Sequence, residues 1–248
     1  MTASDPTGLD VDVDLELGAL KLSAALSVGR VPLALIGPNG SGKTSLLLAI
    51  LGILLPRRGR VVLGGDVLFD GAAGVCKPAE ERRLAYVPQN YGLFPHLTAV
   101  DNVAFALACT PPRLRRTERI QRARAVLESL GASAFADRRP DQLSGGEKQR
   151  VALARAMATS PRALLFDEPV AALDVEGRDE IRSFLVGHVR RTALPTIVIT
   201  HDVADVRALG ATVAVMERGR VVGAGSLAAV TANPPSAYAA RFTAGAVV

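Results

Sequence analysis

At 248 residues, with 49% apolar side chains and a formal net charge of +5, the chain has material for one large α/β domain or two lobes around a full core. Its longest apolar stretch, Leu46 to Leu55, is far too short to cross a bilayer, which excludes a membrane-spanning helix, and Met1 to Gly8 is polar, so no export signal and a cytoplasmic protein are expected. Two cysteines, Cys76 and Cys109, have no metal-ligand spacing and exclude a disulfide scaffold.

Leu9 to Leu17 alternates apolar and acidic residues without a fault, and Leu20 to Val28 continues the alternation after Gly18-Ala19, which predicts two half-buried strands joined by a tight turn. A calcium loop through Asp10, Asp12 and Asp14 is rejected, because Leu15 stands where that loop needs glycine and Lys21 where it needs a bidentate glutamate. Val31 to Ile36 reads as a buried strand and Ser45 to Leu55 as a buried helix. Between them, Gly37-Pro38-Asn39-Gly40-Ser41-Gly42-Lys43-Thr44 fits G-x-x-x-x-G-K-[ST]. Glycines let such a loop wrap an anion, backbone N–H groups and the helix start at Thr44-Ser45 face the phosphates, Lys43 adds positive charge, and Thr44 offers a hydroxyl to Mg²⁺. A nucleoside triphosphate is the expected ligand. Asn39-Gly40-Ser41 matches a glycosylation acceptor, but its place inside this loop strips the match of meaning.

Short strands are expected at Val61–Leu63, Val67–Phe69 and Leu84–Val87. From about Leu97 to Pro140 the pattern is helical, with Pro111-Pro112 as an internal break, and predicts a helical lobe inserted into an α/β core. Six arginines between Arg113 and Arg124 accompany this segment without interleaved aromatics, so a solvated helix face is favoured over a nucleic-acid surface. Leu143-Ser144-Gly145-Gly146-Glu147-Lys148-Gln149-Arg150 starts a further helix. Capping accounts for Ser144 and Glu147 but not for consecutive glycines, which suit a backbone that must approach an anion. Strands follow at Ala163–Phe166, Thr196–Ile199 and Thr212–Met216, alternating with helices as a parallel sheet requires, and a last helical stretch covers Ser236 to Phe242. The first of these strands ends in Asp167-Glu168, where the carboxylates can hold Mg²⁺ and polarise an attacking water.

The phosphate loop, the Leu-Ser-Gly-Gly-Glu-Lys-Gln-Arg segment and the Leu-Leu-Phe-Asp-Glu-Pro strand together resemble the ATP-binding cassette (ABC) ATPase family over nearly the whole chain. The resemblance implies a single domain over residues 5–242. It has a RecA-like α/β core of the P-loop NTPase class, an N-terminal antiparallel β subdomain and a helical subdomain at about 97–160. It implies ATP and Mg²⁺ as cofactors. Gln89 becomes a loop glutamine that touches Mg²⁺ and water, Asp174 a residue of the dimer seam, and His201 a switch histidine at the γ-phosphate. It further implies a head-to-tail homodimer in which Ser144, Gly145 and Gly146, with Glu147 and Gln149 behind them, cap ATP held by the partner's loop. Family members stack adenine on an aromatic residue upstream of the loop; none occurs here before Phe69, so either Leu17 or a nearby aliphatic residue substitutes or the base is bound weakly.

Val67 to Asp70, Glu80 to Arg83 and Asn90 to Leu97 resemble the importer ATPases for molybdate and tungstate. Sulfate, polyamine and sugar importers share parts of the pattern. The implied partners are transmembrane permease subunits at the cytoplasmic face of the membrane and, indirectly, a solute-binding protein; Tyr91 and Phe94 either stand exposed to receive the permease or belong to the core. Neither a C-terminal regulatory domain nor nucleic-acid binding is expected; soluble cassette ATPases of DNA repair or translation, and kinase-like P-loop enzymes, fit less well.

Overall fold

A computed structural model describes residues 7–109, 113–170 and 175–244. The chain opens with β1 (Leu9–Leu17) and β2 (Leu20–Val28), a hairpin whose register runs from Leu9 opposite Val28 to Leu17 opposite Leu20. Strict alternation in the sequence becomes strict alternation in space: Val11, Val13 and Leu15 are buried, and Asp12, Asp14 and Glu16 are exposed. β3 (Leu33–Ile36) leads into α1 (Lys43–Leu51), followed by the antiparallel strands β4 (Arg58–Leu63), β5 (Asp66–Asp70) and β6 (Val75–Cys76). A short α2 (Ala79–Arg82) precedes β7 (Leu84–Val87).

α1 differs from the helix expected over Ser45 to Leu55. It begins two residues earlier, at the Lys43 of the loop, and stops at Leu51, with Gly52 in the left-handed region at φ 82°. Beneath that end lies the fully buried Arg82, whose guanidinium donates to the Ala49 and Ile50 carbonyls at 3.2 and 2.7 Å and so satisfies helix-terminal acceptors that have no partner within the helix. Ile53 and Leu55 fall beyond the helix and are exposed.

The helical lobe comprises α3 (Ala99–Ala108), α4 (Arg116–Ser129) and α5 (Gly145–Ala158), which pack against one another. The Pro111-Pro112 break lies outside the described residues. On α4, Ala123 and Leu127 face the core, while Arg116, Arg122 and Arg124 are exposed as a solvated face requires. The chain continues through β8 (Ala163–Asp167), α6 (Val175–Thr192), β9 (Thr196–Ile199), α7 (Val203–Leu209), β10 (Thr212–Glu217), β11 (Arg220–Ser226), α8 (Leu227–Ala232) and α9 (Ala237–Ala244).

Among the described residues the strands form one sheet in the order β6-β5-β4-β1-β2-β11-β10-β3-β9-β8-β7. The segment from β10 through β3, β9 and β8 to β7 is parallel. Only one pairing, Arg220 with Ser23, joins it to the antiparallel part through β11 and β2. Gly219 makes that junction possible, since a Cβ there would lie 2.1 Å from the Lys21 carbonyl oxygen. The parallel strands are apolar on both faces. Ile36, Leu164, Phe166, Val198 and Val215 point into the core shared with the helical lobe. Leu35, Leu165, Ile197, Ile199 and Met216 point into the core around α1 and the β1–β2 hairpin.

Candidate functional site

Parallel register brings the chemistry to one sheet end. Leu35 of β3 lies beside Ile199 of β9, and Ile199 beside Asp167 of β8. The loop after β3, the carboxylates closing β8 and the histidine following β9 therefore emerge together, as ligand-binding residues do in doubly wound sheets. A cavity of 370 Å³ lies there, lined by Asn39, Gly40, Gly42, Lys43, Thr44 and Ser45 of the loop, by Gln89, Glu168 and His201, and by Leu20.

Gly37 has no room for a side chain: a Cβ would sit 2.0 Å from the Met216 carbonyl oxygen, so the loop is pressed against the end of β10. The Ser41 N–H donates to the Pro38 carbonyl at 3.2 Å and closes the turn, while Ser41 Oγ is buried and without a partner among the described residues. Buried Lys43 extends back across the loop, its Nζ donating to the Gly37 and Pro38 carbonyls at 2.7 and 3.0 Å. Burial pushes its amine below the usual lysine range; the Glu168 and Asp167 carboxylates pull it back up.

Thr44 Oγ1 donates to Asp167 Oδ2 at 2.8 Å, and the Tyr86 hydroxyl reaches the same oxygen at 3.4 Å. Burial raises the Asp167 carboxyl above its ordinary range, the Thr44 hydrogen bond opposes this, and the Glu168 charge adds to the rise. Burial, and then the Asp167 charge, push the Tyr86 phenol up to about 12. Two adjacent carboxylates with one buried lysine are short of positive charge. The Asp167 oxygens and the Thr44 hydroxyl form a hard donor set that suits Mg²⁺, and the orphaned Ser41 hydroxyl and the glycine-lined loop suit phosphate oxygens. Both ATP and Mg²⁺ fit the residues present.

Glu168 is the hub. Its backbone sits at φ 52°, a strained conformation for a residue with a side chain, and its N–H donates to the Ile199 carbonyl at 3.0 Å. Gln89 Nε2 donates to Glu168 Oε2 at 2.8 Å, and His201 Nε2 lies 2.6 Å from Glu168 Oε1. The other ring nitrogen, Nδ1, is 3.1 Å from the Tyr238 hydroxyl. Neither Tyr86 nor Tyr238 was expected at this site: Tyr86 reads as one position of a strand and Tyr238 as one of a terminal amphipathic helix, and no local spacing marks either.

Ser144 is the N-cap of α5, and the capping box forms, with Ser144 Oγ accepting from the Glu147 N–H at 3.2 Å and Glu147 Oε2 accepting from the Ser144 N–H at 2.7 Å. A Cβ on Gly146 would meet nothing within 4 Å, so this helix end faces open space. Ser144, Gly145, Gly146 and Glu147 do not line the cavity of Lys43. Gln149 is buried, its Nε2 unpaired among the described residues, and Asp174 lies outside them. Leu20 lines the cavity and, with Leu22, lies against Gly42 of the loop, as aliphatic residues near Leu17. Tyr91 and Phe94 are half-buried, not exposed, because Tyr91 packs on the core of the helical lobe and Phe94 lies edge-on to Phe105 at 4.8 Å. With Arg155, whose guanidinium lies 5.7 Å from the Phe94 ring centre, these phenylalanines border a 440 Å³ groove between β7 and the helical lobe.

The sequence profile of the ABC transporter family matches residues 21–171. The chain belongs to this family. It is 44% identical over 241 residues, 97% of its length, to the molybdenum import ATP-binding protein ModC of Rhodospirillum rubrum, and spans 64% of that protein. It is 40% identical to the molybdate/tungstate import ATP-binding protein WtpC of Archaeoglobus fulgidus, covering 88% of this chain and 87% of the relative. Among solved structures, the dimeric ATP-binding cassette MJ0796 in a post-hydrolysis state bound to ADP and Pi matches with a TM-score of 0.75 and 28% identity over 88% of this chain and 98% of that one. The parallel sheet, the antiparallel β part and the helical lobe are those of an ABC cassette.

Proposed function

We propose that this chain is the ATP-binding and ATP-hydrolysing subunit of an importer for molybdate or tungstate. The observation that carries the reading is the meeting of Lys43, Thr44, Asp167, Glu168, Gln89 and His201 at one cavity in a cassette similar to import ATP-binding proteins of that cargo class. The loop from Gly37 to Ser45 cradles the phosphates through backbone N–H groups, and Lys43 turns from the loop carbonyls to the terminal phosphate oxygens. Thr44, Asp167 and Gln89 would hold Mg²⁺, which would neutralise charge on the phosphates. Glu168 accepts a proton from the attacking water and aligns it, and His201 steadies the terminal phosphate. Because Ser144 to Gly146 do not line this cavity on their own chain, they meet the nucleotide of a second copy in a head-to-tail homodimer.

The groove beside Phe94 and Phe105 receives a permease subunit, which places the cassette at the cytoplasmic face of the membrane and couples it indirectly to a solute-binding protein. None of the described helices is long and apolar enough to cross a membrane, in keeping with attachment through a partner. The test is uptake into liposomes that hold the permease with this chain and are supplied with ATP on the cassette side. Molybdate or tungstate accumulation with wild-type chain, absent with Glu168→Gln, is expected; ATP-dependent accumulation of sulfate, a polyamine or a sugar instead would overturn the cargo assignment.

A further inference from the structure

His201 is held from two sides, and its second partner belongs to the last helix of the described chain. Nε2 lies 2.6 Å from Glu168 Oε1, and Nδ1 lies 3.1 Å from the Tyr238 hydroxyl. A carboxylate only accepts hydrogen bonds, so Nε2 must carry the proton that joins the ring to Glu168. In the neutral ring Nδ1 is then bare and can only accept, which makes the Tyr238 O–H the donor. We propose that Tyr238 is a positioning residue for His201, fixing the neutral tautomer with its proton on Nε2, directed into the nucleotide cavity.

Local structure holds Tyr238 still. Ser236 Oγ caps α9 by accepting from the Ala239 N–H at 3.2 Å, Ala239 is fully buried, and the Tyr238 ring stacks on Phe242 at 6.5 Å. Burial raises the phenol above its ordinary range, a backbone hydrogen bond from Gly37 opposes that, and the Glu168 charge adds to it, so the hydroxyl stays protonated and able to donate. The same oxygen thus touches the first residue of the phosphate loop and the histidine after β9. The charges that act on the Tyr238 hydroxyl are those of Glu168, Arg241 and Glu217; Lys43 and Glu168 line the cavity with His201, and Asp202, next in the chain, is paired with Arg182 at 3.0 Å. The inference rests on the reading of His201 as the residue that meets the terminal phosphate, but its structural half can be tested without nucleotide.

The chain has three histidines, His96, His188 and His201, so selective ¹⁵N labelling of histidine gives a spectrum simple enough to assign with a His201→Gln variant. Wild-type nucleotide-free protein at neutral pH is expected to show His201 as the Nε2–H tautomer. Tyr238→Phe keeps the ring and its stack on Phe242 and removes only the hydroxyl; it is expected to move both ring nitrogens toward the averaged values of an imidazole exchanging between its two neutral tautomers. The same variant should lower kcat for ATP hydrolysis roughly fivefold, the scale of one lost hydrogen bond. Ring nitrogens identical in wild type and Tyr238→Phe, or a wild-type ring protonated on Nδ1 alone, would overturn the proposal. A ring that responds as expected in a chain that hydrolyses no ATP would uphold the tautomer assignment and defeat the proposed function.

Discussion

Lys43 shows how one residue carries opposed demands. Its amine is buried at a cost, and the loop carbonyls of Gly37 and Pro38 satisfy it until phosphate arrives. Lys43→Ala removes a charge-assisted contact worth about 1.5–3 kcal/mol and should weaken nucleotide binding roughly ten- to a hundredfold in equilibrium titration. Affinity equal to wild type would remove Lys43 from phosphate binding. The loop was legible in the sequence because its glycines and lysine have no cheaper explanation between a strand and a helix. The carboxylates after β8 were legible only beside it, since apolar strands that end in acids are common. What the sequence hid is the wiring: the φ of 52° that turns Glu168 into the cavity, the Tyr86 contact to Asp167 and the Tyr238 contact to His201 all join positions far apart in the chain.

Between elements, an ion-pair cluster ties the antiparallel part of the sheet to the parallel part. Asp66, which begins β5, accepts from Lys77 at 2.6 Å and from Arg162, just before β8, at 2.8 Å, and Arg162 also donates to the Leu63 carbonyl at 2.7 Å. Hydrogen bonds from Lys77 and Arg162 hold the Asp66 carboxyl below its ordinary range. A depressed carboxyl stabilises the fold fully above its unfolded pKa and loses that contribution as pH falls through its folded value. Because the cluster is about a third exposed, Asp66→Asn should cost only about 1 kcal/mol in urea unfolding at neutral pH, with the difference from wild type shrinking as pH falls below the ordinary aspartate range. Equal stability at neutral pH would contradict this. Strands such as β1 and β9 were readable because period-2 alternation or an unbroken apolar run survives directly in the fold. β11 was missed because Gly223 and Gly225 blur its alternation, and the end of α1 because Ile53 to Leu55 prolong an apolar run past Gly52.

For the whole molecule, the proposed head-to-tail dimer makes the cavity and the tip of α5 two half-sites. Lys43, Glu168 and His201 line a pocket open at 370 Å³, while Ser144 and Gly146 present a capped but unoccupied helix end to open space elsewhere on the same chain. Electrostatics makes each half want the other: a bound nucleotide exposes phosphate charge, and a helix N-terminus offers backbone donors and partial positive charge. The resemblance to the cassette family already implied that the two meet between chains, and in keeping with it Ser144 to Glu147 do not line the cavity of Lys43 on their own chain. The most direct measurement is the mass in solution, by light scattering and crosslinking, of Glu168→Gln saturated with Mg-ATP, a variant that should bind nucleotide but turn it over too slowly to separate. The account predicts a stable dimer that falls apart when nucleotide is removed, and a monomer under saturating Mg-ATP would contradict it.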